Sequence, residues 1–295
     1  MTQRRKLVYG IAGFYVFGIV ALVVIFGFGH KNNVFQIQNE FQLINWVSLG
    51  VFSINRAVVY LFLAAILTVA TMVWISRRMH TRPNRVQTAV EILFSLMKDN
   101  ITRGNMDDTM AARWFPFIGA LFLFIWFSNL IGYIPLPTNS EETFNLFGAH
   151  IPDFALYAAT ANISVPLVLA VIVFLAFNWQ GIRTQGPGGY LKSLIPGGVH
   201  GPMLILIAPL EVISTFMRLI SLTIRLFANI LAGHMIILFM AGGLAVILGL
   251  SFLGWFTMPI GLAVYLFELG LVATLQAFIF ATLAAIYLGG AVTTH

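Results

Sequence analysis

The chain alternates long stretches with almost no charge and short polar intervals. The apolar stretches are residues 7–29, 57–76, 115–136, 155–178, 203–239 and 259–288. As helices, the first four would each be about 30 to 36 Å long, matching the ~30 Å hydrocarbon core of a bilayer. The fifth would reach about 55 Å as one helix, so it must tilt strongly or break. Residues 84–101 have a different pattern. There Val86, Val90, Leu93, Phe94 and Met97 share one face and polar residues fill the rest, which predicts an amphipathic helix lying on a surface. A short strand is expected around residues 34–41, and the other intervals read as loops.

Composition settles the class. Of 295 residues, 59% are hydrophobic and 9% charged, and mean hydropathy is +0.92, far from the soluble range of about 25% charged. The predicted fold is all-α, a polytopic helical membrane protein forming one membrane domain over residues 1–295. It has about four upright transmembrane helices, one amphipathic surface helix, and a strongly tilted C-terminal helical hairpin formed by residues 203–239 and 259–288. Residues 7–29 read as a retained helix: a signal peptide has a shorter apolar core, and His30, Lys31, Asn32 and Asn33 follow instead of a small-residue cleavage site.

The net charge of +6 reflects topology. Basic residues gather at Arg4, Arg5 and Lys6, between Arg77 and Arg113, and at Arg183 with Lys192, whereas residues 138–153 hold Glu141, Glu142 and Asp153 and no Lys or Arg. The basic groups therefore share the cytoplasmic-type side, with both termini there and the acidic loop opposite. A basic stripe with interleaved aromatics is absent, which argues against nucleic acid as a partner. With no cysteine, disulfides and thiolate chemistry are excluded. His30, His80, His150 and His200 sit one per loop without metal-ligand spacing. The glycine-rich runs near Gly186 and Pro196 lack a phosphate-loop Lys, and no G-x-S-x-G elbow occurs.

The chemistry lies inside the apolar stretches. On a helix through residues 209–234, Glu211, Ser214, Arg218, Ser221 and Asn229 all fall within about 40° of Arg225, and Leu, Ile, Phe and Val fill most of the remaining circumference. A charge near mid-membrane costs at least ~2.5 kcal/mol, so this polar seam marks function. Arg225 carries a permanent charge, and Glu211 lies about 21 Å along the helix from it, too far to pair. Its counter-ion is expected on another chain. Arg218, nearer the helix start, reads either as part of the site or as a side chain that snorkels to the interface. His234, about 180° from Arg225, can meet Glu268 of the last stretch as a titratable relay. Tyr265, Gln276 and Tyr287 make a second polar line, each about 20° from the next, with Glu268 about 80° from Gln276.

Several segments together resemble subunit a of the F-type ATP synthases. These are EVISTFMRLISLTIRLFANILAGH, LQAFIFATLAAIYL, NRVQTAVEIL, SNLIGYIPLP, ATANISVPLVLAV and GGYLKSLIP, in the family's order. The resemblance implies a proton-translocating stator subunit with two aqueous half-channels. Arg225 would be the essential arginine facing the carboxylates of a rotating c-ring. Glu211, Ser221, Asn229, His234, Glu268, Gln276 and Asn162 would line the proton path. It also implies the peripheral stalk subunit b, other membrane-sector subunits and the lipid bilayer as partners, no cofactor beyond the translocated ion, and a bacterial cell membrane or mitochondrial inner membrane. Proton and sodium coupling are not separated at this level. Two features depart from the family pattern: Glu268 precedes Gln276 by eight residues instead of seven, and residues 7–29 are an addition to its compact members. The competing classes are a stand-alone secondary transporter or channel with Arg225 binding an anion, and a membrane-embedded enzyme, which the scattered histidines disfavour.

Overall fold

The computed structural model describes residues 45–49, 52–78, 85–134, 136–146, 149–155, 157–193, 203–240 and 253–292. The expected helix at 7–29 and strand at 34–41 lie outside them. Among the described residues, five helices are long and apolar enough to cross a membrane: Arg56–Arg77, Asp108–Gly132, Ser164–Tyr190, Pro209–Leu238 and Thr257–Gly290. The protein is thus a polytopic helical membrane protein, as its composition requires. Described strands occur only outside these spans, as two antiparallel hairpins. β1 (Asn45–Leu49) pairs with β2 (Phe52–Asn55), and β3 (Leu136–Leu146) pairs with β4 (Ala149–Ala155). Lipid cannot satisfy open strand edges, which confines such pairing to the intervals between spans.

Two compact units divide the chain, Met1–Gln42 with Ala232–Glu268 and Leu43–Leu231 with Leu269–His295. In the second, α1 (Arg56–Arg78) buries Ala57, Tyr60, Ala64 and Thr68 along one stripe and turns Phe62, Ile66, Val69 and Val73 outward. One face thus packs on protein and the other suits lipid. At its start Arg56 is 1% exposed and lies 4.6 Å over the Tyr157 ring, which meets Tyr60 edge-on at 5.8 Å. Burial pushes the Tyr157 hydroxyl above its ordinary pKa of 10.0, with the Arg56 charge pulling the other way, so it stays protonated.

The surface helix is present as α2 (Arg85–Ser95), continued by a π-helical segment Leu96–Arg103 that buries Met97, Ile101 and Thr102. Arg103 closes this segment with ion pairs to Asp99 at 3.3 Å and Asp108 at 3.4 Å. Next, α3 (Asp108–Gly132) begins well before residue 115 and ends before the expected 136. It is the most enclosed of the spanning helices, with Ile118, Phe122, Leu123 and Ile125 at 0–1% exposure. A Cβ on Gly132 would strike Ala158, so glycine allows the end of α3 to approach the turn before the next helix.

That next helix, α4, spans Ser164–Ser193 instead of 155–178. Before it, Ala155 instead ends β4 and Ala159–Ala161 form a 3-10 turn. Beyond 178 the chain stays helical to Ser193, broken once at Gly186 (φ 73°), a left-handed conformation that glycine adopts without strain. The described part of the Gly- and Pro-rich stretch, up to Ser193, is therefore a kinked helix end with the Tyr190 ring folded onto Gly181, where a Cβ would overlap it. Finally come α5 (Met203–Leu238), α6 (Leu253–Phe267), a π-helical segment Glu268–Val272 and α7 (Ala273–Gly290). Ala273, Ala277, Ala281, Ala284 and Ala285 are all fully buried, and such small side chains let helix backbones approach closely.

Candidate functional site

α5 is one unbroken helix of 36 residues containing Pro209, so of the two options open to so long a run, breaking does not occur. Its seam runs along a boundary. On one side Thr215, Leu222, Leu226 and Ile230 are buried, and on the other Ile213, Met217, Ile220 and Ile224 are exposed. Between them Glu211, Arg218 and Arg225 are half-buried, while Ser214, Ser221 and Asn229 are exposed. The seam therefore sits where a second molecule covering the open face would meet it edge-on.

The two arginines of the seam differ. Arg218 Nη2 stands 3.9 Å from Glu211 Oε1, and its guanidinium lies 5.5 Å from the centre of the Tyr287 ring. Among the described residues Arg225 makes no ion pair, hydrogen bond or ring contact. A guanidinium keeps its charge at any accessible pH, so Arg225 is, among the described residues, a cation without a counter-ion at the edge of an apolar face.

In the unit that holds the C-terminal end of α5, His234 is 1% exposed and Glu268 is 8% exposed. A Cβ placed on Gly233 would fall on the Glu268 carboxylate, so the acid lies against the α5 backbone one residue from the imidazole. This acid thus lies at this histidine's turn of the helix. His234 and Glu268 are each held by interactions with other residues of the chain.

Glu268 opens the π-helical segment Glu268–Val272. A π turn takes up about one more residue than an α turn, so along the helix the eight residues from Glu268 to Gln276 advance through the angle of seven. On a helical wheel this lowers the offset between positions 268 and 276 from ~80° to about 20°. Gln276 is buried at 3% exposure. The segment is held from α3: Trp126 Nε1 donates to Thr274 Oγ1 at 3.1 Å, and Thr274 Oγ1 donates to the Gly270 carbonyl at 2.8 Å. Asn129, fully buried, donates through Nδ2 to the Ala273 carbonyl at 3.4 Å and accepts from Thr160 Oγ1 at 2.9 Å.

Asn162 departs from its expected position. It follows the 3-10 turn instead of lying within a transmembrane helix, and its Oδ1 accepts the Ser164 N–H at 3.1 Å, capping α4. Asn129, Thr160 and Trp126 were not singled out in the sequence. The signal for Asn129 was there, as an amide within an apolar run, where its groups need partners.

These observations define a polytopic membrane protein with a polar seam on one long helix and, near that helix's C-terminal end, a buried acid against the backbone one residue from a buried imidazole. Residues 58–289 match the family described as ATP synthase A chain. The chain is 36% identical over 209 residues to ATP synthase subunit a of Parvibaculum lavamentivorans, covering 70% of this chain and 72% of that protein. It is 32% identical over 260 residues to ATP synthase subunit a of Frankia alni, covering 85% and 83%. With ATP synthase subunit a of Anaeromyxobacter dehalogenans strain 2CP-C it shares 32% over 244 residues, 82% of this chain but 58% of that longer protein. The chain belongs to the ATP synthase A chain family.

Proposed function

We propose that this chain is the proton-translocating stator subunit of a rotary F-type ATP synthase, with Arg225 facing the ring of c subunits. The observation that carries this reading is the contrast along the seam: Arg225 is half-buried beside an open apolar face with no counter-ion among the described residues, while Arg218 has one. A charge in that setting costs at least ~2.5 kcal/mol unless a partner arrives, and a ring carboxylate supplies one. The fixed cation favours the ionised form of each arriving carboxylate and repels a free proton, so protons cross only when the ring turns. One charge crossing 100 mV releases about 2.3 kcal/mol, so several crossings are needed for each ATP.

Two half-channels flank Arg225. His234, Glu268 and Gln276 serve the side toward the acidic loop. Glu211, with Ser221 on the open face, serves the basic side, and Asn229, one turn beyond Arg225, serves the side toward the acidic loop. Asn162 acts at the entrance as the cap of α4. The peripheral stalk subunit b and other membrane-sector subunits are the remaining partners, no cofactor takes part, and the setting is a bacterial cell membrane with both termini on the cytoplasmic side. The test is ATP-driven proton pumping by the reconstituted complex: Arg225→Ala abolishes it while the subunit still assembles. Undiminished pumping by that variant rejects the mechanism. Flux through the chain reconstituted without a ring would favour a stand-alone transporter.

A further inference from the structure

The seam holds two arginines seven residues apart, and the coupling mechanism uses only one. Arg218 is held from two sides. Glu211, two helical turns before it on α5, brings Oε1 to 3.9 Å from Nη2. Tyr287 of α7 places its ring 5.5 Å below the guanidinium, and that ring in turn contacts Phe177 of α4 at 5.9 Å. Two residues before Arg218 on α5, Phe216 stacks on Phe174 of α4 at 5.5 Å and 29°. A snorkelling arginine extends toward water and leaves its stem on the helix. Here the guanidinium is instead fixed on an aromatic face that two other helices anchor, with its charge directed at a carboxylate.

We propose that Arg218 is a positioning residue for Glu211: Tyr287 and Phe177 fix the guanidinium, and the guanidinium holds the Glu211 carboxylate on the seam, where it relays protons on the basic side of Arg225. This rests on the reading of Glu211 as a path residue. The guanidinium is suited to the task because it is planar, so it stacks on a ring and still presents N–H donors at its edge. It also cannot carry the proton itself, which leaves Glu211 as the group that does. Arg225, with no such support, stays available to the ring.

The experiment is a double-mutant cycle in the reconstituted complex, read as the initial rate of ATP-driven vesicle acidification per assembled complex. Glu211→Gln and Arg218→Gln each lower the rate, by roughly fivefold for coupled neighbours, and the double variant is no slower than the slower single one. Tyr287→Leu behaves like Arg218→Gln, and Tyr287→Phe, which keeps the ring, recovers most of what Tyr287→Leu loses. Losses of Glu211→Gln and Arg218→Gln that multiply in the double variant overturn the proposal, as does a Tyr287→Phe variant as slow as Tyr287→Leu. Arg225→Ala in the same assay separates the two failures. If it is inactive while the cycle is multiplicative, the positioning role falls and the coupling mechanism stands. If it pumps normally, the coupling mechanism falls.

Discussion

The Glu268 carboxylate lies against Gly233, in the space where any other residue would carry its Cβ. Glycine lowers helix stability by about 1 kcal/mol relative to alanine, so its presence inside the C-terminal part of α5 runs against local preference. It lets the acid of one arm approach the backbone of the other, beside His234. Gly233→Ala should therefore leave the helix intact, or firmer, and yet lower proton pumping by about tenfold, a loss of ~1.4 kcal/mol in the rate-limiting step. Vesicle acidification per assembled complex measures this, and a wild-type rate would show that the carboxylate can move aside without cost.

His234 and Glu268 are expected to act as one relay. Replacing either with alanine removes the transfer between them, so the double variant should conduct protons about as slowly as the slower single variant. Losses that multiply would identify two independent groups. The measurement is passive proton conductance of the membrane sector.

The π-helical segment makes an unusual deletion prediction. Leu271 is 52% exposed, so its side chain contributes little packing within the chain. Deleting it should turn the segment Glu268–Val272 into ordinary α-helix and leave Glu268 seven residues before Gln276, on nearly the same face. Pumping should survive at roughly half the normal rate or better, whereas deleting Leu262 from the α-helical part of the same arm should abolish it by rotating Glu268 about 100° relative to the preceding turns.

Asn129 should matter for stability more than for transport. Its amide joins Thr160 to the Ala273 carbonyl, bridging α3, the 3-10 turn and the start of α7. Asn129→Leu should destabilise the subunit by about 1 kcal/mol, the scale of hydrogen bonds between membrane helices. A lower thermal midpoint of the purified complex would show it, and adding Thr160→Val should lower the midpoint little further, since both act through one bridge.

For Arg225, charge without geometry should not suffice. Arg225→Lys should fail to restore pumping, because a desolvated lysine can release its proton where a guanidinium cannot. A lysine variant that pumps at the normal rate would mean that positive charge alone is enough.

Much of this was legible in the chain itself because lipid leaves so few choices. Backbone groups there must be paired within helices, so apolar run lengths placed the spans, and a 100° step per residue put Glu211, Arg218, Arg225 and Asn229 on one seam before any coordinates. The ends of spans were read less well. Residues 155–163 are apolar enough for a helix, yet β4, the 3-10 turn and the Asn162 cap take them first.

What the sequence determined, then, was every property that depends on a single helix in an apolar solvent: which segments span, which face is polar, and that Arg225 needs a partner. Only the tertiary structure decided the relations between segments. It distinguished Arg218, held by Tyr287 of another helix, from Arg225, which no described residue pairs. It placed a π-helical segment at Glu268–Val272, whose Gly270 carbonyl accepts from Thr274, itself bonded to Trp126 of α3. It also showed why position 233 is glycine. Helical period is a local property, and a run of residues carries it, but the contacts of a guanidinium or a carboxylate are set by side chains that lie tens of residues away along the chain.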